Sequence, residues 1–142
     1  MTIRPLDIND YDNLISLWGA AGLPYKPKGR DSRSHIEREI GESSAIFLVA
    51  EDNGRIVGSI LGTHDGRKGW INRLAVHPDF QRKGLARRLV AEVEQRLDQL
   101  GIKIIACLVE DWNRSSLDFF ERIGYRRHQH IYYFTKRESP DV

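Results

Sequence analysis

The segment His77-Pro78-Asp79-Phe80-Gln81-Arg82-Lys83-Gly84-Leu85-Ala86-Arg87 sets a proline stop, a glycine and three cations just before a stretch of helical periodicity. Gly84 lets the backbone curl tightly there, so several free N–H groups and the positive end of a helix converge on one point. With Arg82, Lys83 and Arg87 beside them, such a turn suits an anion of the diphosphate kind. Its pattern is Gln81-x-x-Gly84-x-Ala86. The phosphate-loop and dinucleotide fingerprints, G-x-x-x-x-G-K-[ST] and G-x-G-x-x-G, are both absent.

Other side chains bear on proton transfer and nucleophilic chemistry. Glu110 and Asp111 follow a β-type run, and Glu110 is the first candidate for a general base, acting directly or through water; its alternative is a solvated loop acid. His64, Tyr25, Tyr132 and Tyr133 read as structural or substrate-lining groups. Cys107, the only cysteine, stands at an apolar strand position and reads as an inert core thiol. A single cysteine excludes an internal disulfide and a cysteine-cluster zinc site, and it suits a reducing compartment. No metal site is expected.

The elements that must hold these groups follow from periodicity. Ile3 to Leu6 reads as a strand, and Asp10 as the cap of a helix whose apolar residues Tyr11, Leu14, Ile15, Trp18 and Ala21 recur at helical spacing until Gly22 and Pro24. A second helix runs from Ser34 to Ile40, with Ser34 and Glu37 at capping-box spacing. Ala45 to Glu51 and Arg55 to Thr63 form a hairpin about Asp52-Asn53-Gly54. Trp70 to Val76 is a third strand ended by Pro78. Leu85, Leu89, Val93, Leu97 and Leu100 then line one face of the longest helix, and Gly101 is its stop. Lys103 to Val109 is a buried-type strand, and the helical crossover makes it parallel to Trp70–Val76. Asn113 or Ser115 caps a last helix ending at Ile123. Tyr125 to His128 and Ile131 to Lys136 read as closing strands. The expected architecture is α+β, a mixed sheet with helices on both faces.

The chain has 142 residues, 40% hydrophobic and 30% charged, which fits one domain spanning residues 1–142 with its own core and a flexible tail, Glu138 to Val142. Twenty-two Lys and Arg against 20 Asp and Glu leave a net charge of +2, too small a balance to imply nucleic-acid binding. Met1 to Asp10 carries acids and no signal-like apolar run, and no segment approaches the roughly 20 apolar residues of a membrane span. A cytoplasmic protein is expected.

Val76-His77-Pro78-Asp79-Phe80 followed by Gln81-x-x-Gly84-x-Ala86 resembles the signature of the GNAT superfamily of acyl-CoA-dependent N-acyltransferases. Asn113-Arg114-Ser115-Ser116 followed by Phe119-Phe120-Glu121-Arg122-Ile123-Gly124-Tyr125 is similar to that family's later segment. The resemblance covers nearly the whole chain, and its nearest flavour is the small bacterial type related to ribosomal-protein N-terminal acetyltransferases. It implies the GNAT fold, a mostly antiparallel sheet with one splayed parallel pair, and acetyl-CoA as cosubstrate. Carried onto this chain, it implies that Leu74, Ala75 and Val76 bond the pantetheine arm and that the Leu74 or Val76 N–H serves as oxyanion donor. It further implies that the backbone of Arg82, Lys83, Gly84, Leu85, Ala86 and Arg87 holds the diphosphate, and that Asn113 reaches the pantetheine arm unless it is only a helix cap.

The chain departs from the family at two places. Phe120 stands where many relatives carry a proton-donating tyrosine, and Trp70 where a glutamate base is frequent; Phe120 can pack against the cofactor but cannot donate a proton. Deprotonating a lysine amine of pKa about 10.4 at pH 7 costs about 4.6 kcal/mol, against about 1.4 for an α-amine near 8, so an acceptor of low pKa is favoured. The expected partner is an amine-bearing small molecule or a protein N-terminus, the chain acting as a monomer or homodimer with neither nucleic acid nor membrane. The acceptor should be chosen by the Gly22 to Arg33 loop, the second helix and the closing strands, with Tyr25, Trp70 and Tyr132 lining it. The basic residues Lys26, Lys28, Arg30 and Arg33 fit an acidic acceptor or a solvated face equally. A domain that binds acyl-CoA as a sensor without turnover is the alternative.

Overall fold

The computed structural model describes residues 1–142, and the chain opens with β1 (Thr2–Pro5). Asp7 then caps a single 3-10 turn, accepting the Asn9 N–H at 2.9 Å, while Asp10 accepts the Asp7 N–H at 2.9 Å. Asp10 is therefore not the side-chain cap expected for α1 (Tyr11–Ala21). Arg4 holds the Asp10 carboxylate through two hydrogen bonds of 2.8 and 3.0 Å and pushes its pKa down. α2 (Arg33–Ile40) is capped by Ser32, whose Oγ accepts the His35 N–H at 3.3 Å, rather than by Ser34.

β2 (Ala45–Asp52) and β3 (Arg55–His64) make the expected hairpin. Asn53 and Gly54 turn it with φ of +51° and +77°, the left-handed pair that right-twisted strands require. β4 (Gly69–Val76), α3 (Leu85–Gln99), β5 (Ile105–Cys107) and α4 (Arg114–Arg122) follow. The five strands lie in the order β1-β2-β3-β4-β5, antiparallel except for the parallel β4–β5 pair.

β5 is much shorter than the Lys103–Val109 run, and the two closing strands do not form. Tyr125 to His128 and Ile131 to Lys136 are irregular, with Ile131, Tyr132, Tyr133 and Phe134 all strongly exposed. Residues on either side of Ile131–Lys136 are tied elsewhere. Arg127 pairs with Glu121 at the end of α4, and Lys26 Nζ donates to the Pro140 carbonyl at 2.8 Å. Strand propensity in Ile131–Phe134 thus finds no ladder to join.

Helices cover both faces of the sheet. On one, Leu14, Leu17, Trp18 and Ile36 from α1 and α2 pack with Phe47, Val49, Ile56 and Leu61. On the other, Leu85, Leu89, Val93 and Leu97 of α3 meet Leu48, Val57, Ile60, Ile71 and Phe120. Strand alternation sends the neighbours Leu48 and Val49 to opposite faces. No helix is long and apolar enough to cross a membrane.

Three strand glycines seat α3 closely. A Cβ on Gly58 would lie 3.1 Å from Leu89 Cδ1, on Gly62 2.5 Å from Val93 Cγ1, and on Gly69 2.8 Å from Leu97 Cδ1. Gly62→Ala is therefore expected to destabilise the fold by about 1–3 kcal/mol through overpacking. Urea unfolding should show it, and Val93→Ala added to Gly62→Ala should recover part of the loss. Equal midpoints for the wild type and Gly62→Ala would refute the close seat.

Candidate active site

Two features meet at the carboxyl end of β4. The first is the turn into α3. Arg82 (φ +62°) and Gly84 (φ +78°) both take left-handed conformations, and Gly84 precedes the helix without a side-chain cap. The first α3 hydrogen bond is Arg88 N–H to the Gly84 carbonyl at 3.1 Å, and the N–H groups from Arg82 to Arg87 have no backbone acceptor. Arg82, Lys83 and Arg87 are exposed, and no acid lies in the first turn. None of the three forms a salt bridge. Leu85 is buried and fastens the turn to the core.

The second feature is a parting of strands. β4 and β5 pair only at Gly69–Ile105, Trp70–Ala106 and Ile71–Cys107. From Asn72 to Val76, β4 follows β3 but has no strand on its other side. The His77 N–H donates to the Val57 carbonyl at 2.9 Å. By the alternation of an antiparallel ladder, the Val76 and Leu74 N–H groups therefore face away from β3, into the gap. Gln81 closes its near end, Nε2 donating to the Val76 carbonyl at 3.0 Å.

A bulge shapes this strand. Ser59 faces Ala75 and Leu61 faces Asn72, so Arg73 and Leu74 oppose Ile60 alone. Arg73 takes a left-handed φ of +54°, a strain of about 1–2 kcal/mol for a residue with a Cβ. Its carbonyl accepts from Ser59 Oγ at 2.8 Å, and Ser59 Oγ accepts from the indole N–H of Trp18 at 3.0 Å. Its guanidinium lies 5.0 Å from the Trp18 ring centroid, donates to the Pro24 carbonyl at 2.6 Å and stands 3.9 Å from Asp31. Burial lowers the Arg73 pKa while Asp31 opposes the change; Glu39 on α2 is pushed upward, first by burial and then by Asp31. Sequence reading missed this group. Its one signal was the polar pair Asn72-Arg73 inside an otherwise apolar run.

The remaining residues singled out by sequence sit on several elements. Asn113 does cap α4, its Oδ1 accepting the Ser116 N–H at 3.2 Å. Phe120 is buried, edge-on to Phe119 and Tyr125 at 5.1 and 5.3 Å. Tyr125 donates to Glu94 at 2.9 Å, and burial followed by that bond pushes its pKa up. Glu110 is exposed in the loop after β5, its carbonyl accepting the Asn113 N–H at 3.0 Å. Tyr25 lies against Trp18 with centroids 6.3 Å apart. Trp70 is in the paired part of β4, with Lys68 Nζ 4.7 Å from its ring centroid. Tyr132 is exposed in the irregular segment and joins none of these groups. His64 accepts the Gly66 N–H at 3.1 Å, a turn contact.

The sequence model described as the acetyltransferase (GNAT) family matches residues 12–125. An acetyltransferase of Photorhabdus laumondii is 36% identical over 138 residues, 96% of this chain and 95% of that protein. Among solved structures, the PaiA N-acetyltransferase of Thermoplasma acidophilum in complex with coenzyme A has a TM-score of 0.76 at 23% identity, covering 88% of this chain and 89% of its own. An aminoglycoside 6'-N-acetyltransferase of Acinetobacter haemolyticus has a TM-score of 0.80 at 17% identity, covering 98% of this chain and 100% of its own. The two structural likenesses establish the shared fold.

Burial pushes the half-buried Cys107 thiol from 9.0 up to about 11. A raised thiol pKa lowers the thiolate fraction at neutral pH, so alkylation of Cys107 by iodoacetamide at pH 8 should run roughly 100-fold slower than for a free thiol and accelerate towards pH 11. Rapid labelling at pH 7 would contradict an inert thiol.

Proposed function

The chain belongs to the GNAT acetyltransferase family, and on that footing we propose that it moves the acetyl group of acetyl-CoA directly to a primary amine in a ternary complex, without a covalent enzyme intermediate or a metal. The observation that carries this reading is the gap between β4 and β5, opening beside the row of unbonded N–H groups from Arg82 to Arg87. Those groups hold the diphosphate, with Arg82, Lys83 and Arg87 adding charge. The pantetheine arm runs along Leu74, Ala75 and Val76, and a Leu74 or Val76 N–H stabilises the charge that grows on the thioester oxygen. Asn113 and Phe120 border the arm.

The neutral amine attacks the thioester carbon, a C–N bond forms, the C–S bond breaks, and the surplus amine proton passes through water to Glu110. Phe120 has no proton to give. The leaving group does not depend on one, since an alkyl thiol of pKa about 8.5 lies only about 2 kcal/mol from ionisation at pH 7. The same arithmetic favours an acceptor of low pKa, a peptide α-amine or a small-molecule amine. One fold relative is named an aminoglycoside N-acetyltransferase, which supports an amine acceptor. Tyr25 and Trp70 line the acceptor side with the Gly22–Arg33 loop. A binding-only sensor is not favoured, because the Photorhabdus relative is named an acetyltransferase. The lone cysteine supports a reducing, cytoplasmic setting.

Calorimetry with coenzyme A should show binding by the wild type. Gly84→Glu, which adds a carboxylate at a left-handed position in the diphosphate turn, should weaken it about 100-fold or more. Thiol release at pH 7 should be faster with a peptide α-amine than with a lysine side chain. A wild type without affinity for coenzyme A, or a Gly84→Glu variant that binds equally well, removes the proposal; clear preference for lysine removes the low-pKa acceptor.

A further inference from the structure

We propose that Arg73 is a positioning residue for the acceptor, fastening the loop between α1 and α2 to the bulged strand that faces the thioester. The meaning of that strand rests on the acetyl-transfer reading, whereas the fastening itself rests on the contacts that Arg73 makes.

The loop is a closed unit. The Asp31 N–H donates to the Lys26 carbonyl at 3.1 Å, and the Lys26 N–H donates back to Asp31 Oδ2 at 2.7 Å. Tyr11 Oη, on α1, donates to the Asp31 carbonyl at 2.7 Å, and Asp31 is only 5% exposed. Arg73 is the residue of β4 that joins this unit, through the Pro24 carbonyl at one end and the Asp31 carboxylate at the other. Trp18 then fixes Arg73 twice, its ring beneath the guanidinium and its indole N–H reaching the Arg73 carbonyl by way of Ser59. Backbone and side chain of one residue are thus held by the same indole.

The residue type at this position points the same way. At φ +54° a glycine would keep the bulge without steric strain. Arginine is tolerated there against its own backbone preference, so what it contributes must come through its side chain. That side chain contacts the loop and Trp18, on the α1–α2 side of the sheet, whereas the diphosphate turn belongs to α3. Loss of the guanidinium should therefore free the loop and loosen acceptor binding while leaving the coenzyme end intact.

Arg73→Gly separates these roles because it retains the bulge, and Arg73→Lys keeps a cation without the fork that spans two partners. With a tripeptide α-amine as acceptor, Arg73→Gly should raise the acceptor KM roughly tenfold, change kcat at saturation less than about threefold and leave the coenzyme A Kd within about twofold; Arg73→Lys should recover part of the KM. Trypsin should cut the native Arg73→Gly variant at Lys28–Gly29 about tenfold faster than the wild type, reporting the freed loop without any reaction. Unchanged cleavage refutes the fastening. Faster cleavage with an unchanged KM, or a fall in kcat and coenzyme affinity at constant KM, refutes the role in acceptor positioning. A wild type that transfers nothing to the peptide refutes the transfer reading, and the cleavage arm then decides the fastening alone.

Discussion

β3 grips β4 along most of its length, while β5 holds it through three residues, Gly69 to Ile71. That imbalance governs the rest. Past Ile71 the outward N–H groups of β4 have no ladder, and in a packed protein such groups are left open only where something else will bond them. The bulge at Arg73 reinforces the parting by adding local twist just where pairing with β5 stops. A guest backed by β4 would find main-chain donors without any strand having to be displaced.

The two faces of the sheet divide the labour of building this opening. On one, α3 is seated against strand glycines and delivers its unbonded N-terminal turn to the end of β4. On the other, α1 and the loop after it meet the strand through Trp18, Ser59 and Arg73. The charged turn is left unpaired at the surface, whereas Arg73 has its charge partly compensated by Asp31. In the proposed reaction the exposed cations meet a highly charged ligand, and the shielded one organises protein.

Much of this arrangement was legible beforehand, and the reasons are local. Leu85, Leu89, Val93 and Leu97 repeat at helical spacing because one face of α3 is buried along its whole length. Asp52-Asn53-Gly54 marks its hairpin because only such residues accept left-handed angles readily. The Gln81-x-x-Gly84-x-Ala86 pattern located the turn for the same reason. What stayed hidden depends on partners distant in the chain. The bulge exists because Ile60 opposes two residues, and nothing around Arg73 encodes the register of β3. Ser32 rather than Ser34 caps α2 because Ser32 holds the extended angles that a cap needs, and the spacing of two nearby serines does not settle which will. Ile131 to Phe134 have strand-forming side chains, but their surroundings tie the flanking residues to α4 and to the Lys26 loop.

The row Gly58, Gly62 and Gly69 also limits how this protein can change through descent. Each of these positions faces a different apolar side chain of α3, so the helix is registered against the sheet like a toothed bar, unable to slide or roll by a fraction of a turn. Its leading end is consequently aimed by residues far behind it in the helix. Substitutions on the opposite side, around Pro24 and Asp31, leave that register untouched, so the face proposed to receive the acceptor can drift across generations while the aim of the helix is inherited unaltered.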